Sequence, residues 1–122
     1  MAFLTDEALD QGLDYIDTNG TRIDICSQAP TTYAEATSTY SLGNKTGLNT
    51  GATQDGDSSG RKVIVPAITD GSVTGTGTAT HWALTDGSSL LLAWQTLSSS
   101  QGVTSGNTFT LGAIDITIPD PA

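Results

Sequence analysis

The chain has 122 residues, 13 acidic and 4 basic, for a net charge of -9. Only 14% of residues are charged, whereas Thr and Ser fill 33 positions and Gly another 14. Non-specific affinity for a phosphate backbone comes from clustered Lys and Arg, so the balance excludes nucleic acid as a partner. The sequence also holds no apolar run near the ~18 residues that span a bilayer, which excludes a membrane partner.

The N-terminal segment reads as a helix. Thr5 is its N-cap, and Asp6 and Glu7 sit in the first turn, where carboxylates suit the positive end of the dipole. Leu9, Leu13 and Ile16 fall at helical spacing, and Asn19-Gly20 reads as a left-handed stop. Asp14 and Asp17 crowd the negative end, so the helix depends on docking its apolar stripe against its own sheet or a neighbouring subunit. The stripe, with Phe3 and Leu4 ahead of it, is the candidate attachment element within residues 1–19. The start lacks a basic n-region and an apolar h-region, so no secretory signal is read and synthesis in a cytoplasm is expected.

After Gly20 the period changes to two. Ile23 and Ile25 face one way, and Arg22, Asp24 and Cys26 the other. Cys26 is the only cysteine, which excludes an intrachain disulfide and reads as a small buried hydrophobe at a strand end. Residues 31–41 fit either a short helix at 34–37 or an edge strand. Residues 42–60 are rich in Gly, Thr and Asn and read as one long loop. Within it, Asp55-Gly-Asp57-Ser-Ser59-Gly60 matches the first half of a calcium loop. Pro66 stands where the closing acid belongs, so an ordinary turn is the stronger reading and no metal or cofactor is expected.

The C-terminal half reads as strand after strand. Residues 61–66 are β-branched and close on a proline; Asp70-Gly71 reads as a turn. Residues 73–84 form a Thr-alternating strand, and Asp86-Gly87 a hairpin turn. Residues 89–97 form the next strand, followed by a Ser-rich turn at 98–102. Along residues 107–118 the inward face shifts by one residue across Gly112-Ala113, which predicts a β-bulge at Gly112. The expected fold is therefore mainly β: one domain over residues 1–122, an antiparallel β-sandwich or jelly-roll-like barrel with one N-terminal amphipathic helix.

No motif assembles an active site. His81 is the only histidine, and no nucleophile elbow is present, so no catalytic residue is assigned and no enzyme is expected. Trp82 and Trp94 flank the Asp86-Gly87 turn in adjacent predicted strands. At least one of them is expected in the core; the functional reading is an aromatic platform for a sugar ring or a partner protein.

Residues 18–48 (TNGTRIDICSQAPTTYAEATSTYSLGNKTGL), residues 60–84 (GRKVIVPAITDGSVTGTGTATHWAL) and the TSGNTFTLGAIDITIPDP ending resemble a group of small proteins encoded by tailed bacteriophages and prophages of alphaproteobacteria. The resemblance covers nearly the whole chain and implies a virion structural component built largely of β-strands. It brings no catalytic residues. A head decoration protein, cement or vertex, is the expectation, with other virion proteins as partners and a homo-oligomer as the assembled state. A neck or tail accessory protein and a carbohydrate-binding adsorption module are the alternatives.

Overall fold

The computed structural model describes residues 6–48, 53–55 and 60–118. Its elements run α1 (Asp6–Asn19), β1 (Arg22–Cys26), a one-turn π-helix (Glu35–Thr39), β2 (Ser41–Thr46), β3 (Gln54–Asp55), β4 (Arg61–Val65), β5 (Ile68–Val73), β6 (Gly77–Thr85), β7 (Leu91–Val103), β8 (Thr108–Leu111) and β9 (Ile114–Ile118). They form an antiparallel six-stranded sheet in the order β7-β6-β1-β2-β5-β8 and a three-stranded sheet in the order β3-β4-β9. The larger sheet curls into a half-barrel, and the fold is mainly β with one helix at its N-terminal end.

The two sheets are joined by one bent ribbon. Residues 61–73 pair antiparallel with residues 108–118 across both sheets, Val65 opposite Ile114 in one and Ile68 opposite Leu111 in the other. Both arms break at the same level, at Pro66-Ala67 and at Gly112-Ala113. Pro66 has no N–H to donate to a ladder, so pairing stops there and the chain turns the corner. The expected bulge at Gly112 is thus a full break: the inward face shifts, and β8 and β9 belong to different sheets.

The concave face holds the core: Ile23 and Ile25 of β1, Val65, Ile68 and Val73, Trp82 and Leu84 of β6, and Phe109 and Leu111 of β8. Burying each of the large apolar side chains stabilises the fold by about 1.5–3 kcal/mol. The expected turn at Asp70-Gly71 lies inside β5 instead. Gly71 is required there for space, since a Cβ would run into the Phe109 ring.

β1 is central, flanked by β2 and β6, and it is buried on both faces. Its second face meets the π-helix segment, where Cys26, Ala36 and Ala83 make a small cluster capped by Tyr40 and Leu91. The undecided stretch 31–41 therefore resolves into a π-helical cover followed by a strand. β2 occupies residues that read as the start of a long loop, and it sits in the middle of the sheet.

The helix docks on the chain's own sheet, against β4 and β9. Leu13 is fully buried and Ile16 packs against the main core. Gly20 donates to Ile16 O at 2.6 Å. Gly20 is not left-handed. Glycine is needed because a Cβ would stand 2.6 Å from Ile16 O and 3.0 Å from Leu84 Cδ2.

Candidate functional site

Two surfaces of the β6–β7 hairpin gather the features that could bind something. The hairpin itself is set by its turn. Gly87 takes a positive φ of 76°, and Asp86 Oδ1 accepts from the backbone N–H groups of Ser88, Ser89 and Leu90 at 2.9–3.0 Å. These donors, led by the Ser89 and Leu90 amides, hold the Asp86 carboxyl below the usual carboxylate range.

The first surface is the convex face of the hairpin. Trp94 lies directly opposite Ala83 and shares its face, whereas Trp82 points into the core. The two tryptophans therefore project from opposite faces of the sheet and cannot form one platform. Trp82 is 5% exposed and Trp94 45%. Trp94 instead meets His81, ring centroids 5.7 Å apart and tilted by 57°. Thr80 Oγ1 donates its proton to Ser27 O at 2.9 Å. It must therefore accept from His81 Nδ1 at 2.8 Å, which leaves Nε2 to meet Thr96 Oγ1 at 3.3 Å. Both ring nitrogens of His81 are thus engaged by threonine hydroxyls.

The second surface is a groove of about 530 Å³ beside β7, continued by another of about 380 Å³. Its origin is a local excess of chain. His81 pairs with Thr96 and Ala79 with Gln101, so Thr80 stands opposite Leu97, Ser98, Ser99 and Ser100 together. The residues that read as a Ser-rich turn are a wide bulge within a single strand of 13 residues. A bulge bends the strand that carries it, and the groove lies between β7 and the segment joining β8 to β9. Gln95, Leu97 and Ser98 line one wall, Leu111, Ala113 and Asp115 the other, with Trp82 at the base. Gln101 Nε2 crosses to Thr110 O at 3.0 Å and clasps the strand edges together. The walls offer amides and hydroxyls that bind neutral polar groups. The carboxylate within reach, Asp115, is paired with Lys62 Nζ at 3.1 Å.

The remaining chemistry-bearing groups serve the scaffold. Asp24, on the strand face shared with Arg22 and Cys26, is fully buried. Arg22 grips it with Nε to Oδ1 at 2.8 Å and Nη2 to Oδ2 at 3.0 Å, and Ser41 Oγ donates to Oδ2 at 2.6 Å. The hydrogen bond to Asp24 raises the Arg22 pKa above its ordinary value. Burial pushes the Cys26 thiol up to about 12, so it stays protonated and unreactive beside Ala36 O. Glu35 accepts from Thr31 N and Thr31 Oγ1 at 2.8 and 2.7 Å, and these bonds hold its carboxyl low.

Of the expected attachment residues, Leu13 and Ile16 are taken up by the chain's own fold and are not free for a partner. Phe3, Leu4 and the Leu9 side chain lie outside the described residues, as does the centre of the proposed calcium loop. At its edge Asp55 pairs with Arg61 Nη1 at 2.6 Å, and among the described residues no group of three acids, His or Cys could hold a metal. Among them too, no helix is long and apolar enough to cross a membrane. Gln95, Gln101 and Asp115 carry no local signal in the sequence, since only the long-range pairing of β7 and the corner at Gly112 brings them to one groove. Comparison with protein-family models, with curated proteins and with solved structures finds no match to this chain.

Proposed function

We propose that this chain is a non-catalytic structural protein of a tailed-bacteriophage virion, a capsid decoration protein of the cement or vertex kind. It binds the shell and presents a hydroxyl-rich β-domain outward. The observation that carries the reading is the engagement of reactive side chains in structure. Asp24 is held by Arg22 and Ser41, Glu35 by Thr31, Asp86 by three turn amides, and both nitrogens of His81 by threonine hydroxyls. The Cys26 thiol is buried and protonated. Groups held this way brace a rigid scaffold and are not poised to exchange protons with a substrate.

The whole-chain resemblance to small phage proteins supplies the setting. The net charge of -9 suits a surface component that must stay clear of packaged DNA. Mass spectrometry of purified particles tests the reading. The chain is expected on the order of tens to hundreds of copies per particle, as a symmetric shell requires. Its presence in infected lysate but never in particles overturns it.

A further inference from the structure

We propose that the groove between β7 and the β8–β9 corner is a binding site for a neutral carbohydrate. Trp82 carries the argument. It is 5% exposed, and its indole N–H donates to no group among the described residues. Among those residues no side-chain nitrogen or oxygen is both buried and unpartnered, so this N–H reaches solvent. Trp82 lines both grooves, of about 530 and 380 Å³, and its N–H opens there. The ring is locked in the core, so the donor cannot turn away, and an indole N–H has no acceptor role to fall back on. It is a fixed point at which an acceptor can be recognised.

Complementary groups stand beside it. Gln95 lies directly opposite Trp82 in the β6–β7 ladder and shares its face. Its exposed amide offers two donors and an acceptor. Across the groove, Asp115 pairs with Lys62 through Oδ2 and keeps Oδ1 as an acceptor. Leu97 and Leu111 add apolar wall. Apolar walls with a few convergent polar groups, in a volume of about 300–1,000 Å³, are the usual make-up of a small-molecule site.

Charge selects the ligand class. Between Asp86 and Asp115 the sequence holds no Asp, Glu, Lys or Arg, and Asp115 is already matched by Lys62. A charged ligand loses water here without gaining a partner, and the net charge of -9 repels an anionic one. A purely apolar ligand covers the Trp82 N–H and the Gln95 amide without satisfying either, which is costly. A neutral polar ligand remains. An extended peptide added to a sheet edge is held by a regular row of main-chain hydrogen bonds. The bulge at residues 97–100 interrupts that row along the larger groove. Recognition therefore falls to side chains, whose amide, carboxylate and indole groups suit the closely spaced hydroxyls of a sugar.

The inference stands on the groove and does not require the virion reading. Proton–nitrogen NMR of the full chain tests it, because the two indole N–H signals belong to Trp82 and Trp94 and a Trp94→Phe variant assigns them. The probes are neutral hexasaccharides of glucose, galactose, mannose and N-acetylglucosamine, set against a sulfated hexasaccharide and an uncharged peptide. At least one neutral hexasaccharide is expected to shift the Trp82 signal saturably and to leave Trp94, on the opposite face, unmoved. By calorimetry, Gln95→Ala and, separately, Trp82→Phe are expected to weaken that affinity by about tenfold, the worth of one hydrogen bond left unmade. Gln95 is exposed, so its variant keeps the fold and decides the case even where Trp82→Phe disturbs the core. Failure of every neutral hexasaccharide to give a saturable shift overturns the proposal. So does tighter binding of the sulfated sugar or the peptide, or an affinity undiminished in Gln95→Ala.

Discussion

Asp24 shows how one residue couples chemistry to architecture. A carboxylate with no exposed surface is costly unless it is paired and hydrogen-bonded. Here a bidentate guanidinium and the Ser41 hydroxyl meet that need and tie β1 to the start of β2. Replacing Asp24 by Ala leaves Arg22 only its long contact to Thr37 O at 3.4 Å and Ser41 only its contact to Gly43 O at 3.3 Å. Asp24→Ala is expected to destabilise the fold by about 3 kcal/mol, since removing one partner of a buried pair leaves the other uncompensated. Urea unfolding followed by tryptophan fluorescence measures it. A loss within experimental error of zero shows that the pair contributes nothing. In sequence, Asp24 alternates with Ile23 and Ile25 as any solvated strand residue would. Its burial comes from the π-helix segment lying over the second face of β1, a contact between parts of the chain that no short window reports.

Among the elements, the β6–β7 hairpin was the most legible. Asp86-Gly87 between two apolar runs marks a turn because Gly tolerates positive φ and Asp can cap the amides that follow. The depressed Asp86 carboxyl turns this into a pH dependence. A carboxylate whose folded pKa lies below its unfolded value contributes stability that is fully present above the ordinary carboxylate pKa. That contribution is lost as pH falls through the folded value. Asp86→Ala is therefore expected to lower the melting temperature most at neutral pH, with the gap to the wild type closing in acid. A gap that is constant with pH, or that widens in acid, contradicts the assignment. The far end of the same hairpin was not legible. Residues 98–102 have the composition of a turn but run on as strand, because pairing with β6 resumes at Gln101 and Gly102 after the bulge and Gln101 clasps Thr110 O.

At the scale of the whole molecule, the fold is organised around β1. It has paired neighbours on both sides, the concave core on one face and the π-helix cluster on the other. Opening its backbone to solvent requires dismantling the half-barrel. Amides of Ile23, Asp24, Ile25 and Cys26 are therefore expected to exchange only through global unfolding, at the free energy found by denaturant titration. Those on the far side of β7, which pairs with no strand there among the described residues, are expected to exchange faster. Native-state hydrogen exchange checks this ordering, and equal protection of β1 and β7 contradicts it. The groove between β7 and the β8–β9 corner belongs to the same scale. It lies between β7 and the corner at which the two sheets share a ribbon bent at Pro66 and Gly112.

Local periodicity and turn chemistry by themselves determined the β class, the helix over Asp6–Asn19, the strands at β1 and β4, the Asp86 hairpin and the shift of inward face near Gly112. Each of these depends on residues close together in the chain, through steric limits on the backbone and through which face must avoid water. Only the tertiary structure decided that the helix stripe docks on its own sheet, that residues 41–46 are a central strand, and that Trp82 and Trp94 point apart. It likewise decided that Asp24 is a buried ion-pair partner. All of these are set by pairing between segments distant in sequence, where burial and hydrogen-bond satisfaction of the assembled sheet outweigh the preferences of any single segment.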